Sequence, residues 1–123
     1  MIFESHAHFD DDAFDEDRES LIESLQENRI EYVINVGASM ESTEKTYQLA
    51  KKYPFIYAAV GVHPSDTLPL TELDMNRLKE LAADEKTVAI GEIGLDYYWD
   101  EPEREIQQKW FKRQIALAKE VDL

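Results

Sequence analysis

Short apolar runs and helix-spaced stretches alternate four times along this chain, and any fold must accommodate that alternation. Ile2 to His6, Glu31 to Val36, Phe55 to Val60 and Thr87 to Ile90 read as strands. Phe14, Leu21, Ile22 and Leu25 recur at helical spacing between Phe14 and Asn28, with acids on the other face. A second helix is expected from Ser42 to Tyr53, with Pro54 as its stop. Thr71 and Asp74 resemble a capping box that opens a third, with Leu78, Leu81 and Ala82 on its apolar side. The fourth is expected near Glu101, with Asp100 as N-cap, Pro102 in its first turn, and Ile106, Trp110, Leu117 and Val121 inside. A β-α unit repeated four times implies an α/β fold with a parallel sheet and right-handed crossovers. The strands read as apolar on both faces, as a sheet covered by helices requires. Residues 1–123 are expected to be a single domain. Four units are half of a (β/α)8 TIM-type barrel, which needs about 250 residues.

In parallel α/β proteins the carboxyl ends of the strands carry the chemistry. Glu92 sits at such an end, flanked by Gly91 and Gly94, where the backbone can turn sharply. A lone glutamate there can be an ordinary polar residue. The chain has only three histidines, and each falls at a corresponding place. His6 and His8 close the first strand with side chains on one side, and His63 follows the third. A His-x-His can be two solvated side chains, and His63 before Pro64 can be a packed turn residue. Together, two imidazoles and a carboxylate on one rim form the ligand set of a divalent metal with open coordination positions. Asp10 shares the parity of His6 and His8 and is expected to orient an imidazole from behind, unless it simply begins the acidic loop.

Charge narrows the substrate classes. The net charge is −14, and ten acids oppose two arginines between residues 10 and 31. That run reads first as a solvated helix face. A surface this acidic excludes coating of duplex DNA through phosphate contacts, so a phosphodiester substrate would need a metal to supply positive charge. There is no cysteine, which excludes disulfides and thiolate metal sites. No membrane span or signal segment is visible, and a cytoplasmic location is the expectation.

Ser5-His6-Ala7-His8-Phe9-Asp10, Gly61-Val62-His63-Pro64 and Gly91-Glu92-Ile93-Gly94-Leu95-Asp96-Tyr97-Tyr98 resemble, in order and spacing, three N-terminal motifs of the TatD-like metal-dependent hydrolases. The helix with Gln107, Phe111, Gln114, Ile115, Leu117 and Ala118 is similar to that family's following segment, so the resemblance spans the chain. His-x-His is shared by other metallohydrolases, whereas the run from Gly91 to Tyr97 is specific. The resemblance implies a distorted (β/α)8 barrel of the amidohydrolase superfamily. It also implies one or two divalent ions (Mg, Mn or Zn) and deoxyribonuclease activity from the 3′ end of single strands. It places His6 and His8 as a first metal pair, Glu92 as a carboxylate able to bridge two metals, and His63 beside the substrate phosphate. Asp10 and Asp96 fall in the supporting positions. Two further histidines and an aspartate of the family's site belong to the second half of the barrel. Glu4 stands where the family more often has aspartate, a change expected to affect how the first strand is held.

The expected reaction is metal-assisted phosphodiester hydrolysis by Glu92 and His63, with single-stranded DNA as partner and Tyr97 or Trp99 stacking on a base. Packing of those two aromatics onto the rim is an equal expectation. Two rivals remain: hydrolysis of a small phosphoester or amide, which the acidity favours, and a non-catalytic half barrel acting as an interaction unit. A half barrel standing alone leaves sheet edges and an inner face open to self-association.

Overall fold

The computed structural model describes residues 1–123. Four strands, β1 (Ile2–Ala7), β2 (Ile30–Val36), β3 (Ile56–Val60) and β4 (Thr87–Ile90), pair side by side in chain order, all parallel. Helices α1 (Arg18–Ser24), α2 (Met40–Lys52), α3 (Glu72–Ala82) and α4 (Arg104–Val121) join or follow them. This is the order of the first four β/α units of a (β/α)8 barrel.

The core lies on the helix side of the sheet. Val33, Ile56, Ala58 and Val60 pack there against Ile22, Met75, Leu78, Trp110 and Leu117. The other face is open. Phe3 is 59% exposed, Tyr32 47% and Val88 39%, with the Phe3 and Tyr32 rings edge to face. The expectation of strands covered on both faces is thus corrected, because all the apolar helix stripes meet one side.

Local chemistry sets the ends of the helices. Ser39 Oγ accepts the Ser42 N–H at 3.1 Å and starts α2. The Thr71–Asp74 capping box is formed at α3. Two helix starts differ from expectation. Residues 12–14 form a 3-10 turn capped by Asp11, and α1 begins only at Arg18. The Arg18 guanidinium donates to the carbonyls of Phe9 and Asp11, which holds this segment as a loop. Asp100 does not cap α4. It sits at φ 58° with its carboxylate on Arg104 Nε at 2.8 Å, Glu103 is the capping residue, and Pro102 precedes the helix.

Candidate metal centre

All three histidines and Glu92 converge at the carboxyl ends of the strands. His6 is the penultimate residue of β1, with its backbone N–H on Glu4 Oε1 at 3.0 Å, so Glu4 steadies the strand that presents it. The imidazoles of His6 and His8 meet edge to face, with their Nε2 atoms 3.1 Å apart. Glu92 Oε2 lies 3.4 Å from His6 Nε2 and 3.8 Å from His8 Nε2. Its other oxygen lies 3.9 Å from His63 Nε2. Ligand atoms of His6, His8 and Glu92 all fall within 4.8 Å of one another.

Spacing and tautomer both fit a cation. Two nitrogens each about 2.1 Å from one ion stand about 3.0 Å apart at right angles and about 3.4 Å apart in a tetrahedron. The 3.1 and 3.4 Å separations lie in that range, and the 3.8 Å between His8 and Glu92 is slightly wider. His8 Nδ1 lies 2.8 Å from the Val36 carbonyl, which can only accept, so Nδ1 carries the proton. In the neutral ring, Nε2 then presents a lone pair to the site, as metal-binding imidazoles do. His63 is held the opposite way. Its Nδ1 accepts the Ser65 N–H at 3.2 Å, which places the neutral ring's proton on Nε2, facing Glu92. One imidazole is thus prepared as a ligand and another as a hydrogen-bond donor.

The backbone that holds these groups is a single turn. Val36 closes β2 and Gly37 and Ala38 follow it, and their three successive carbonyls accept from three site residues. Val36 takes His8 Nδ1 at 2.8 Å, Gly37 takes the Glu92 N–H at 2.9 Å, and Ala38 takes the His63 N–H at 2.8 Å. Gly37 has no room for a side chain, since a Cβ would meet Thr43 Oγ1 at 2.1 Å. Gly61 is equally confined. A Cβ there would stand 2.8–2.9 Å from the Gly91 backbone beside Glu92.

Helix α4 clamps the loops from below. Gln114 Oε1 accepts the Val62 N–H at 2.8 Å, and its Nε2 donates to the Val62 carbonyl at 3.0 Å, immediately before His63. Gln107 Oε1 accepts the Asp96 N–H at 2.9 Å, and its Nε2 donates to the Pro102 carbonyl at 2.8 Å. Both glutamines are fully buried. Their roles were missed in the sequence, although a signal exists. They share the apolar stripe of Trp110 and Leu117, where a polar side chain must find partners.

The remaining expected site residues are placed less directly. Asp10 is 6% exposed and accepts from Asn35 Nδ2 at 2.8 Å and Ser42 Oγ at 2.5 Å, not from either imidazole. Its expected role of orienting a histidine ring falls to the Val36 carbonyl instead. Asp96 accepts the Tyr98 N–H at 3.0 Å and shapes its own loop. The Tyr97 ring lies under the Arg104 guanidinium at 4.4 Å, and its hydroxyl accepts from Gln108. Trp99 is 75% exposed and packs edge to face with Tyr98, which is 81% exposed and was not singled out in the sequence. A cleft of about 450 Å³ opens beside His8, His63 and Glu92, with Asp11, Asp12 and Glu41 on its walls.

The chain resembles known proteins along its whole length. The chain is 45% identical over 123 residues to an uncharacterised metal-dependent hydrolase of Bacillus subtilis, YabD, covering all of this chain and 48% of that protein. It is 33% identical over 110 residues to the 3′-5′ ssDNA/RNA exonuclease TatD of Cronobacter sakazakii, covering 89% of this chain and 42% of the relative. The crystal structure of the TatD homologue YjjV of Escherichia coli superposes with a TM-score of 0.87 at 31% identity, covering 99% of this chain and 48% of the other. The chain therefore spans about half the length of the curated relatives it matches. A family profile described as TatD related DNase matches residues 3–123, and the chain belongs to that family.

Proposed function

We propose that this chain carries the first metal-binding half of a divalent-metal-dependent hydrolase that cleaves phosphodiester bonds, removing nucleotides from the 3′ end of single-stranded DNA. The observation that carries this reading is the pairing of a metal-ready cluster at His6, His8 and Glu92 with a donor-ready His63 across the same carboxylate. The relative named as an ssDNA/RNA exonuclease supports the substrate class.

When bound, a divalent cation supplies Lewis-acid polarisation and lowers the pKa of water. The chain's own groups do the rest. His8 keeps its lone pair on Nε2 because Val36 holds its proton on Nδ1. Glu92 turns one oxygen to the paired imidazoles and the other toward His63. His63 donates from Nε2 to a phosphoryl oxygen, at the point where charge grows in the transition state. Trp99, backed by Tyr98, offers a face for an unpaired base, whereas Tyr97 is already engaged by Arg104 and Gln108. Arg104 adds a cation to that loop, over the Tyr97 ring and bonded to Asp100.

The acidic cleft favours one alternative, a small phosphoester or amide substrate, because Asp11, Asp12 and Glu41 repel a long polyanion. A panel of single-stranded oligonucleotides, small phosphoesters and amides, with Mn²⁺ or Mg²⁺ and with chelator, separates the two. In a protein that carries both halves of the barrel, Glu92→Ala should abolish metal-dependent nucleotide release from single-stranded DNA. A variant that keeps the wild-type rate would remove Glu92 from the reaction and end this reading.

A further inference from the structure

The Val36-Gly37-Ala38 turn contributes no side chain to the centre, yet it holds three of its residues by successive carbonyls. What fixes the turn is therefore part of the site. Ser42, one turn into α2, is in contact with it. Its Oγ accepts the Ala38 N–H at 3.1 Å and donates to Asp10 Oδ2 at 2.5 Å. The other Asp10 oxygen accepts from Asn35 Nδ2 at 2.8 Å, and Asn35 Oδ1 accepts the Phe9 N–H at 2.6 Å, next to His8. A buried carboxylate thus ties the turn on one side to the His8 segment on the other.

We propose that Ser42, braced by Asp10, is a positioning residue for the metal centre: it holds Ala38, and so the carbonyl turn from which His8, Glu92 and His63 are hung. This rests on the metal-centre reading and deepens it. A hydroxyl is suited to the place because it accepts from a backbone N–H and donates to a carboxylate at once. Alanine leaves the Ala38 N–H and one Asp10 oxygen without their partner, and the turn is then free to shift. A movement of a few tenths of an ångström reaches His8 and Glu92 together, because each is bonded to a carbonyl of the turn.

The test measures Mn²⁺ affinity by titration calorimetry, and separately the urea stability of the metal-free protein. Ser42→Ala should weaken Mn²⁺ binding by about 10- to 100-fold, the range found when partners behind metal ligands are removed. Ser42→Thr keeps the hydroxyl and should restore wild-type affinity. Thr87→Val serves as the control for mere destabilisation. It removes a buried bond to the Leu81 carbonyl at the opposite end of β4, and should lower stability while leaving affinity unchanged. Wild-type affinity in Ser42→Ala, or an equal loss in Thr87→Val, overturns the proposal. Glu92→Ala separates the two levels: if it binds Mn²⁺ as tightly as wild type, the cation lies elsewhere and the metal-centre reading itself fails.

Discussion

Replacing Gln114 with leucine tests whether α4 is what holds the His63 loop. The exchange keeps roughly the same volume, so little cavity strain enters. What it removes is the amide pair on Val62, whose N–H and C=O face Gln114 at 2.8 and 3.0 Å in a residue only 1% exposed. Each buried backbone group left unpaired costs about 1–3 kcal/mol, so the pair together costs about 2–6 kcal/mol. That is a large share of a domain stability of about 5–15 kcal/mol. In urea, with a slope of about 2 kcal/mol per molar, a loss of 4 kcal/mol lowers the midpoint by about 2 M. Gln108→Leu, on the exposed side of the same helix, should stay within about 0.5 kcal/mol. The functional effect should be selective as well. On the proposed reading, turnover should fall because Val62 precedes His63, whereas Mn²⁺ affinity should hold because the Val62 clamp does not touch His6, His8 or Glu92. A Gln114→Leu midpoint within about 0.5 M of wild type, at unchanged slope, would refute the clamp.

Gly61→Ala should destabilise by about 1–3 kcal/mol through overpacking, because its methyl meets the Gly91 backbone rather than a side chain that can swing aside. It should also weaken Mn²⁺ binding by displacing Glu92, which calorimetry would read directly. Asp84 is held down to about 2 from an ordinary 3.8, first by the hydrogen bond from Lys51 and then by the Lys86 N–H and the Tyr47 hydroxyl. Its contribution to stability is therefore complete above pH 3.8 and is lost as pH falls toward 2. Asp84→Asn should flatten stability over that window, and an unchanged acid-unfolding profile would remove Asp84 from the acid response.

Most of the strand positions were legible because each apolar run is short and bounded by turn residues. β4 falls where Thr87 to Ile90 predicted it. The helix ends were harder. Arg18 reads as a surface charge in a string of letters, yet its bonds to the Phe9 and Asp11 carbonyls keep the preceding residues out of α1. Asp100 has the chemistry of a cap but faces Arg104 instead. At the site, the side chains that converge were legible from their places at strand ends. The supports were not, because carbonyls carry no sequence signature and Val36, Gly37 and Ala38 look like any strand end. Asp10 was noticed for its parity with the histidines, whereas its partners, Asn35 and Ser42, come from later elements that parity cannot see.

The Gln114 clamp also orders assembly in time. The bond between His8 and Val36 spans 28 residues, and neighbouring β/α units can close it early. The clamp on Val62 spans 52. During synthesis, His63 emerges long before Gln114, and until α4 docks the Val62 amide has only water as a partner. Contacts of long sequence separation form after local ones, since their loop-closure entropy must be met first. His6 and His8 can therefore meet while the chain is still growing, whereas the loop that carries the third histidine gains its Val62 clamp only when α4 docks. A cation that arrives early would find a pair of imidazoles before it finds a finished centre.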